Sequence, residues 1–154
     1  MSILSDLPRN MQLDLNDLFV GDLIDYGVYR KVYHSNQDST VVIKMETAKT
    51  THFANVCEWT MWTQFQGTKW EKWLAPCIMI SQSGTILIQK KTTPIEGSMP
   101  KMVPNFFLDL KRSNWGIFED HPVMHDYGHS HLFDIAKTKY KMIPYKKINA
   151  GRCR

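Results

Sequence analysis

The chain has 154 residues, 43% of them hydrophobic and 22% charged, with a formal net charge of +4. That length holds one ordinary domain with its own core, and no run approaches the roughly 18 uninterrupted apolar residues of a membrane span, so no membrane role is expected. The opening MSILSDLPRN lacks the cationic segment, apolar stretch and small-residue site of a secretory leader, and Cys57, Cys77 and Cys153 show no CxxC spacing. The expectation is a cytoplasmic protein with reduced thiols and no structural zinc.

The first predicted elements are strands. Residues 18–26 (LFVGDLIDY), 29–34 (YRKVYH) and 41–45 (VVIKM) are rich in β-branched and aromatic types, and the polar cluster SNQDST separates the last two. They read as three antiparallel strands. From Thr51 to Phe65 the period changes: Phe53, Val56, Cys57, Thr60, Met61, Gln64 and Phe65 recur at three and four, the spacing of one helix face. Gly67 marks the stop just past the last turn. After Pro76, CIMIS and TILIQ bracket QSG, a hairpin that brings the sheet to five strands.

Residues 92–105 carry Pro94, Gly97, Pro100 and Pro104 and read as a loop-like connector between two parts of the chain. Beyond it, WGIF and PVMH flank Glu119 and Asp120 as a short hairpin, and LFDIAKTKYKMI fits a helix that Pro144 ends. The tail, 132–154, is basic: Lys137, Lys139, Lys141, Lys146, Lys147, Arg152 and Arg154 face only Asp134. Its charge reads as solvated surface before it reads as a binding site, and Tyr140 and Tyr145 among lysines are thin support for nucleic acid, which is not the expected partner. Trp59, Trp62, Trp70, Trp73 and Trp115 read as packing residues rather than a base-stacking platform. His125, His129 and His131 are spaced to gather imidazoles, but no fourth metal ligand stands at a fitting distance along the chain.

One stretch carries denser chemistry. FLDLKRSNWGIFEDHPVMHDYG, residues 107–128, contains D-x-K-x-x-N followed by D-Y-G, and V-V-I-K stands upstream at 41–44. This resembles the catalytic loop, the metal-binding segment and the third-strand lysine of eukaryotic-type protein kinases. Carried over residue by residue, the resemblance implies that Asp109 orients a substrate hydroxyl, Lys111 supports the γ-phosphate, and Asn114 with Asp126 holds Mg2+. It further implies that Lys44 pairs the α and β phosphates of ATP and is braced by Glu58 on the helix. In the hairpin IDYGVYRKVY, Gly27 matches the central glycine of the phosphate-covering loop, while Asp25 and Arg30 replace the flanking two. Val32 would cover the adenine, and the backbone near Gln89 to Lys91 would serve as a hinge that bonds the base.

The implied fold is α+β and protein-kinase-like. A five-stranded antiparallel lobe with one packed helix covers about 18–91, the connector 92–105, and a minimal second lobe 106–131 with loop and hairpin. Only about sixteen residues run from Thr93 to Leu108, and no A-P-E segment follows, which gives the resemblance a severely truncated, virus- or phage-like character and, for a viral product, a host-cytoplasmic setting. The expected activity is ATP- and Mg2+-dependent transfer to a Ser/Thr hydroxyl of a protein substrate. The alternative is an inactive pseudokinase-like module that binds and inhibits a partner protein. The apolar area exposed by truncation makes a homodimer a further expectation.

Overall fold

The computed structural model describes residues 6–47, 53–128 and 139–146. Within these the chain is α+β, built on a five-stranded antiparallel sheet. Strands β1 (Val20–Tyr26), β2 (Arg30–Ser35), β3 (Val41–Glu46), β4 (Cys77–Ile80) and β5 (Ile86–Lys90) lie in the order β1-β2-β3-β5-β4. β3 is central and is buried at every position from Val41 to Lys44, as a strand covered on both faces should be. Its register sets Lys44 opposite Val32 on one side and Leu87 on the other. The five expected strands are therefore present, each within about two residues of its sequence bounds.

Two helices accompany the sheet. Helix α1 (Arg9–Phe19) precedes β1 and has no buried residue. Its Met11, Leu15, Leu18 and Phe19 recur at helical spacing, and sequence reading placed a strand from residue 18, where α1 still runs. Helix α2 (Ala54–Phe65) closes where expected: Gly67, just beyond its last turn, has φ +73, the left-handed region that glycine enters at least cost. Its buried face differs from the expected one. Ala54, Asn55, Glu58, Met61, Trp62 and Phe65 are buried, while Phe53 and Val56 are exposed. The helix is turned so that Asn55 and Glu58 meet charged partners under the sheet, and Trp62 enters the core with them.

The connector is not free of pairing. β6 (Met102–Pro104) bonds antiparallel to β9 (Met142–Pro144), with Val103 opposite Ile143. The helix expected over 132–143 is thus replaced by a strand at its end, and residues 132–138 lie outside the described part. Backbone pairing with the connector wins because it lets Tyr140, Met142, Ile143 and Tyr145 pack on the core. β7 (Trp115–Phe118) and β8 (His121–Met124) form the expected hairpin, with Glu119 and Asp120 both at positive φ, the twist-matched two-residue turn.

One continuous core joins the two parts. Met61, Trp62 and Phe65 of α2 meet Trp70, Trp73, Leu74, Leu87, Val103, Phe106, Phe107, Leu110, Trp115, Met124 and Tyr127. Phe106 stacks on Phe65 at 4.5 Å and meets Trp70, Phe107 and Tyr140 edge-on. Four of the five tryptophans are buried and Trp59 packs partly against the same cluster, as packing residues should. No helix among the described residues is long and apolar enough to cross a membrane. Phe106→Ala should cost about 3–5 kcal/mol of stability through the cavity it leaves, read as a shift of the urea midpoint.

Candidate functional site

The site grows from one buried carboxylate. Glu58 stands on the inward face of α2 and is fully buried. Its Oε2 accepts from Lys44 Nζ at 2.9 Å, and its Oε1 accepts from Arg30 Nη2 at 2.7 Å and from the backbone N–H groups of Tyr127 and Gly128 at 3.0 and 3.1 Å. Burial alone would raise this carboxyl, but the Arg30 and Lys44 cations and their hydrogen bonds outweigh it and hold it at about 2. The ion pair expected between Lys44 and Glu58 is present. Gly128 has no room for a side chain, since a Cβ there would lie 3.0 Å from both Cβ and O of Ala54. Glycine at that position lets the 126–128 segment lie against the first turn of α2, where its amides reach Glu58.

Arg30, the first residue of β2, is 8% exposed and belongs to the same cluster. Besides Glu58 it donates to Asn55 Oδ1 at 3.2 Å and to Asp126 Oδ1 at 2.6 Å. Burial would lower its pKa, but Glu58 and Asp126 raise it above the ordinary guanidinium value, so it stays charged. Two cations, Arg30 and Lys44, thus balance two anions, Glu58 and Asp126. Sequence reading set Arg30 only in place of a glycine. The signal that finds it is the strand period: Arg30 and Val32 are two apart, so they share the face of β2 that looks into the cleft. Asn55 is found the same way, three residues before Glu58 on one helix face. Glu46, two residues after Lys44, accepts from the backbone N–H of Asn55 at 2.7 Å, at the start of α2.

The loop 109–114 is held by backbone bonds. Asn114 Nδ2 donates to the Asp109 carbonyl at 3.0 Å, and the Asn114 carbonyl accepts from His125 N at 2.8 Å, tying the loop to the 125–128 segment. Arg112 donates to the carbonyls of Ile95 and Gly97, which orders the connector, and Tyr145 Oη donates to Leu110 O at 2.9 Å. Asp109 Oδ2 lies 3.2 Å from Lys111 Nζ. Partial burial would raise the Asp109 carboxyl, but hydrogen bonds from Lys111 and Asn114 leave it lowered, hence ionised at neutral pH.

His125 closes the floor. Its carbonyl accepts from Lys44 Nζ, while Nε2 donates to Ser113 O at 2.9 Å and Nδ1 lies 2.8 Å from Thr92 Oγ1. Burial and the Lys44 ammonium push it below the ordinary imidazole value. The neutral ring with its proton on Nε2 fits both contacts, Nδ1 accepting from the threonine. This ring is fully engaged in structure, and His129 and His131, its partners in the metal reading, lie outside the described residues.

These segments surround one cleft of about 760 Å³, lined by Gly27, Arg30, Val32, Val42, Lys44, Gln89, Lys91, Asp109, Lys111, Asn114 and Asp126 among others. That volume suits a small-molecule ligand. Every residue that the kinase resemblance singled out lines it except Glu58, which lies behind Lys44. The hinge expectation needs one correction: the N–H groups of Lys90 and Lys91 donate to Pro76 O and Thr40 O, so these two donors are not open to a base. The Gln89 side chain is oriented by a relay, with Tyr127 Oη donating to Ala75 O, Cys77 Sγ lying 3.1 Å from Tyr127 Oη, and Gln89 Nε2 pointing to Cys77 Sγ. Burial pushes the Cys77 thiol up to about 12, which keeps it protonated and unreactive.

Asn114 and Asp126 are the hard oxygen donors that magnesium prefers. As placed, however, Asp126 Oδ1 accepts from Arg30 at 2.6 Å, so a metal ion would have to take that oxygen from the guanidinium. No protein-family model matches the chain, and no curated protein matches it.

Glu58→Gln should destabilise the fold by about 3–5 kcal/mol, because it leaves two buried cations with one fixed counter-charge fewer. The pH dependence has a definite sign. A carboxyl lowered from 4.5 to about 2 contributes stability that is complete above 4.5 and is lost as pH falls through 2. Urea unfolding across that window should show a steep acid limb in the wild type and a shallower one in Glu58→Gln.

Proposed function

We propose that the cleft binds ATP and that the chain is a reduced protein-kinase-like phosphotransferase acting on a Ser/Thr hydroxyl of a protein. The observation that carries this reading is the convergence of Lys44, Asp109, Lys111, Asn114 and Asp126, drawn from β3, the 109–114 loop and the segment after β8, on one cleft. Phosphoryl transfer leaves the protein mainly positioning and charge neutralisation to perform. The Asp109 carboxylate would accept a hydrogen bond from the acceptor hydroxyl and aim it at the γ-phosphorus. The O–P bond to the acceptor forms as the bond to ADP breaks, and the hydroxyl proton leaves by way of Asp109. Lys111, next to Asp109, and Lys44, set deeper by Glu58 and the His125 carbonyl, would neutralise phosphate oxygens. Val32 and Val42 supply apolar surface for a base. Where magnesium takes part, Asn114 and Asp126 would hold it once Arg30 gives up Asp126, and it would supply further neutralisation of phosphate charge.

A second reading is favoured by Arg30. Its guanidinium occupies Asp126, which suits an inactive module that binds and modulates a partner protein, alone or as a homodimer. The two readings separate on Asp109→Asn. For the enzyme, transfer of labelled γ-phosphate to Ser/Thr peptides should fall at least about 10²-fold in that variant, while the ATP-induced rise in melting temperature is kept. Labelling by neither protein favours the binding module, and equal labelling by both removes Asp109 from the chemistry.

A further inference from the structure

Arg30 is not a passive neighbour of the cleft. It has three side-chain partners: Glu58 Oε1 at 2.7 Å, Asn55 Oδ1 at 3.2 Å and Asp126 Oδ1 at 2.6 Å. Two of these, Glu58 and Asn55, are buried on α2 and hold the guanidinium whether or not Asp126 does. Asp126 is different, with 43% of its side chain exposed and its backbone at the cleft wall. The cation is therefore fixed and the aspartate is its exchangeable partner.

Charge decides what such an arrangement accepts. Arg30, Lys44, Lys90, Lys91 and Lys111 line the cleft against Asp25, Asp109 and Asp126. The lining is net cationic before any ligand enters, and the carboxylate suited to a metal is already neutralised by a guanidinium. A divalent cation on Asp126 would meet a fixed positive charge that cannot retreat without uncovering Glu58. A polyanion meets the opposite situation, because Lys44 keeps one of its three ammonium donors and a phosphate oxygen can take from Arg30 the Nη2 donor that Asp126 now holds.

Resting on the nucleotide reading above, we propose that Arg30 is the resident cation of this cleft. It stands on Asp126 in place of a divalent metal, so the triphosphate is bound as a metal-free anion on fixed side-chain cations, and metal enters only by displacing Arg30 from Asp126. Arg30 is then the residue that decides which form of the nucleotide, free or metal-bound, the site takes.

The test is calorimetric titration of the full chain with ATP, once in EDTA and once in excess magnesium, for wild type, Arg30→Gln, Arg30→Lys and Asp126→Asn. The wild type should bind ATP in EDTA at least as tightly as in magnesium. Arg30→Gln should lose tenfold or more of the metal-free affinity and recover part of it with magnesium, whereas Arg30→Lys, which keeps a cation, should resemble the wild type. Asp126→Asn should keep metal-free binding. Wild-type binding that requires magnesium, or metal-free binding lost in Asp126→Asn, overturns the proposal. If Arg30→Gln does not fold, the Arg30→Lys and Asp126→Asn arms still decide it.

Absence of ATP binding under every condition would defeat the nucleotide reading, and the role of Arg30 is then read with manganese alone. Paramagnetic broadening of the Asp126 amide signal should appear in Arg30→Gln, or in Arg30→Ala if the glutamine variant does not fold, and not in the wild type. Broadening in the wild type, or in no Arg30 variant, overturns the resident-cation assignment independently of any nucleotide.

Discussion

Glu58 is the point through which the two parts of this chain are joined. A carboxylate without access to water would cost several kcal/mol if left bare, and here it receives a lysine, an arginine and two backbone amides. Those four donors come from β3, β2 and the segment after β8, so α2 cannot shift relative to any of them without stripping the charge. The helix orientation, the depth of Lys44 and the path of residues 126–128 all follow from satisfying one side chain. That constraint also explains why α2 turns Asn55 and Glu58 inward and leaves Phe53 and Val56 outside.

The aromatic core performs the complementary task. Phe65, Trp70, Phe106, Phe107, Trp115 and Tyr140 interlock between α2 and the second part of the chain, where few regular elements are present. Large rings bury much area per residue, which suits a short chain that must order a long connector and a loop without a helical scaffold. The pairing of β6 with β9 and the bond from Tyr145 to Leu110 extend the same support to the loop that carries Asp109. Residues that read as a basic tail therefore act, over 139–146, as a brace whose apolar members face inward and whose lysines face out.

Electrostatics separates this cleft from a simple metal-nucleotide site. Balanced charge among Arg30, Lys44, Glu58 and Asp126 makes the closed cluster stable by itself, and any ligand must improve on contacts already made. Asp109 and Lys111 lie outside that cluster, more exposed and paired with each other at 3.2 Å. The cleft thus has a rigid charged floor and a more accessible pair at its mouth, a division that suits anchoring at one end and chemistry at the other.

Much of this was written in the chain order. The β-branched and aromatic runs of β1 to β5, the turn residues of the β7–β8 hairpin and the glycine after α2 are local signals, and local sterics decide them. Lys44, Glu58, Asp109, Asn114 and Asp126 were singled out by the kinase resemblance, and only the elements that carry them were legible locally. What only the tertiary structure decided is which groups meet across elements. Helix α1 carries apolar residues at helical spacing but buries none of them, so the core does not set its place, and β9 forms only because β6 offers a partner some forty residues earlier. Arg30 reads as an ordinary strand residue until β2 is laid beside α2. Its inward turn is settled by the long-range attraction of Glu58 and Asp126, and no stretch of neighbouring residues encodes that attraction.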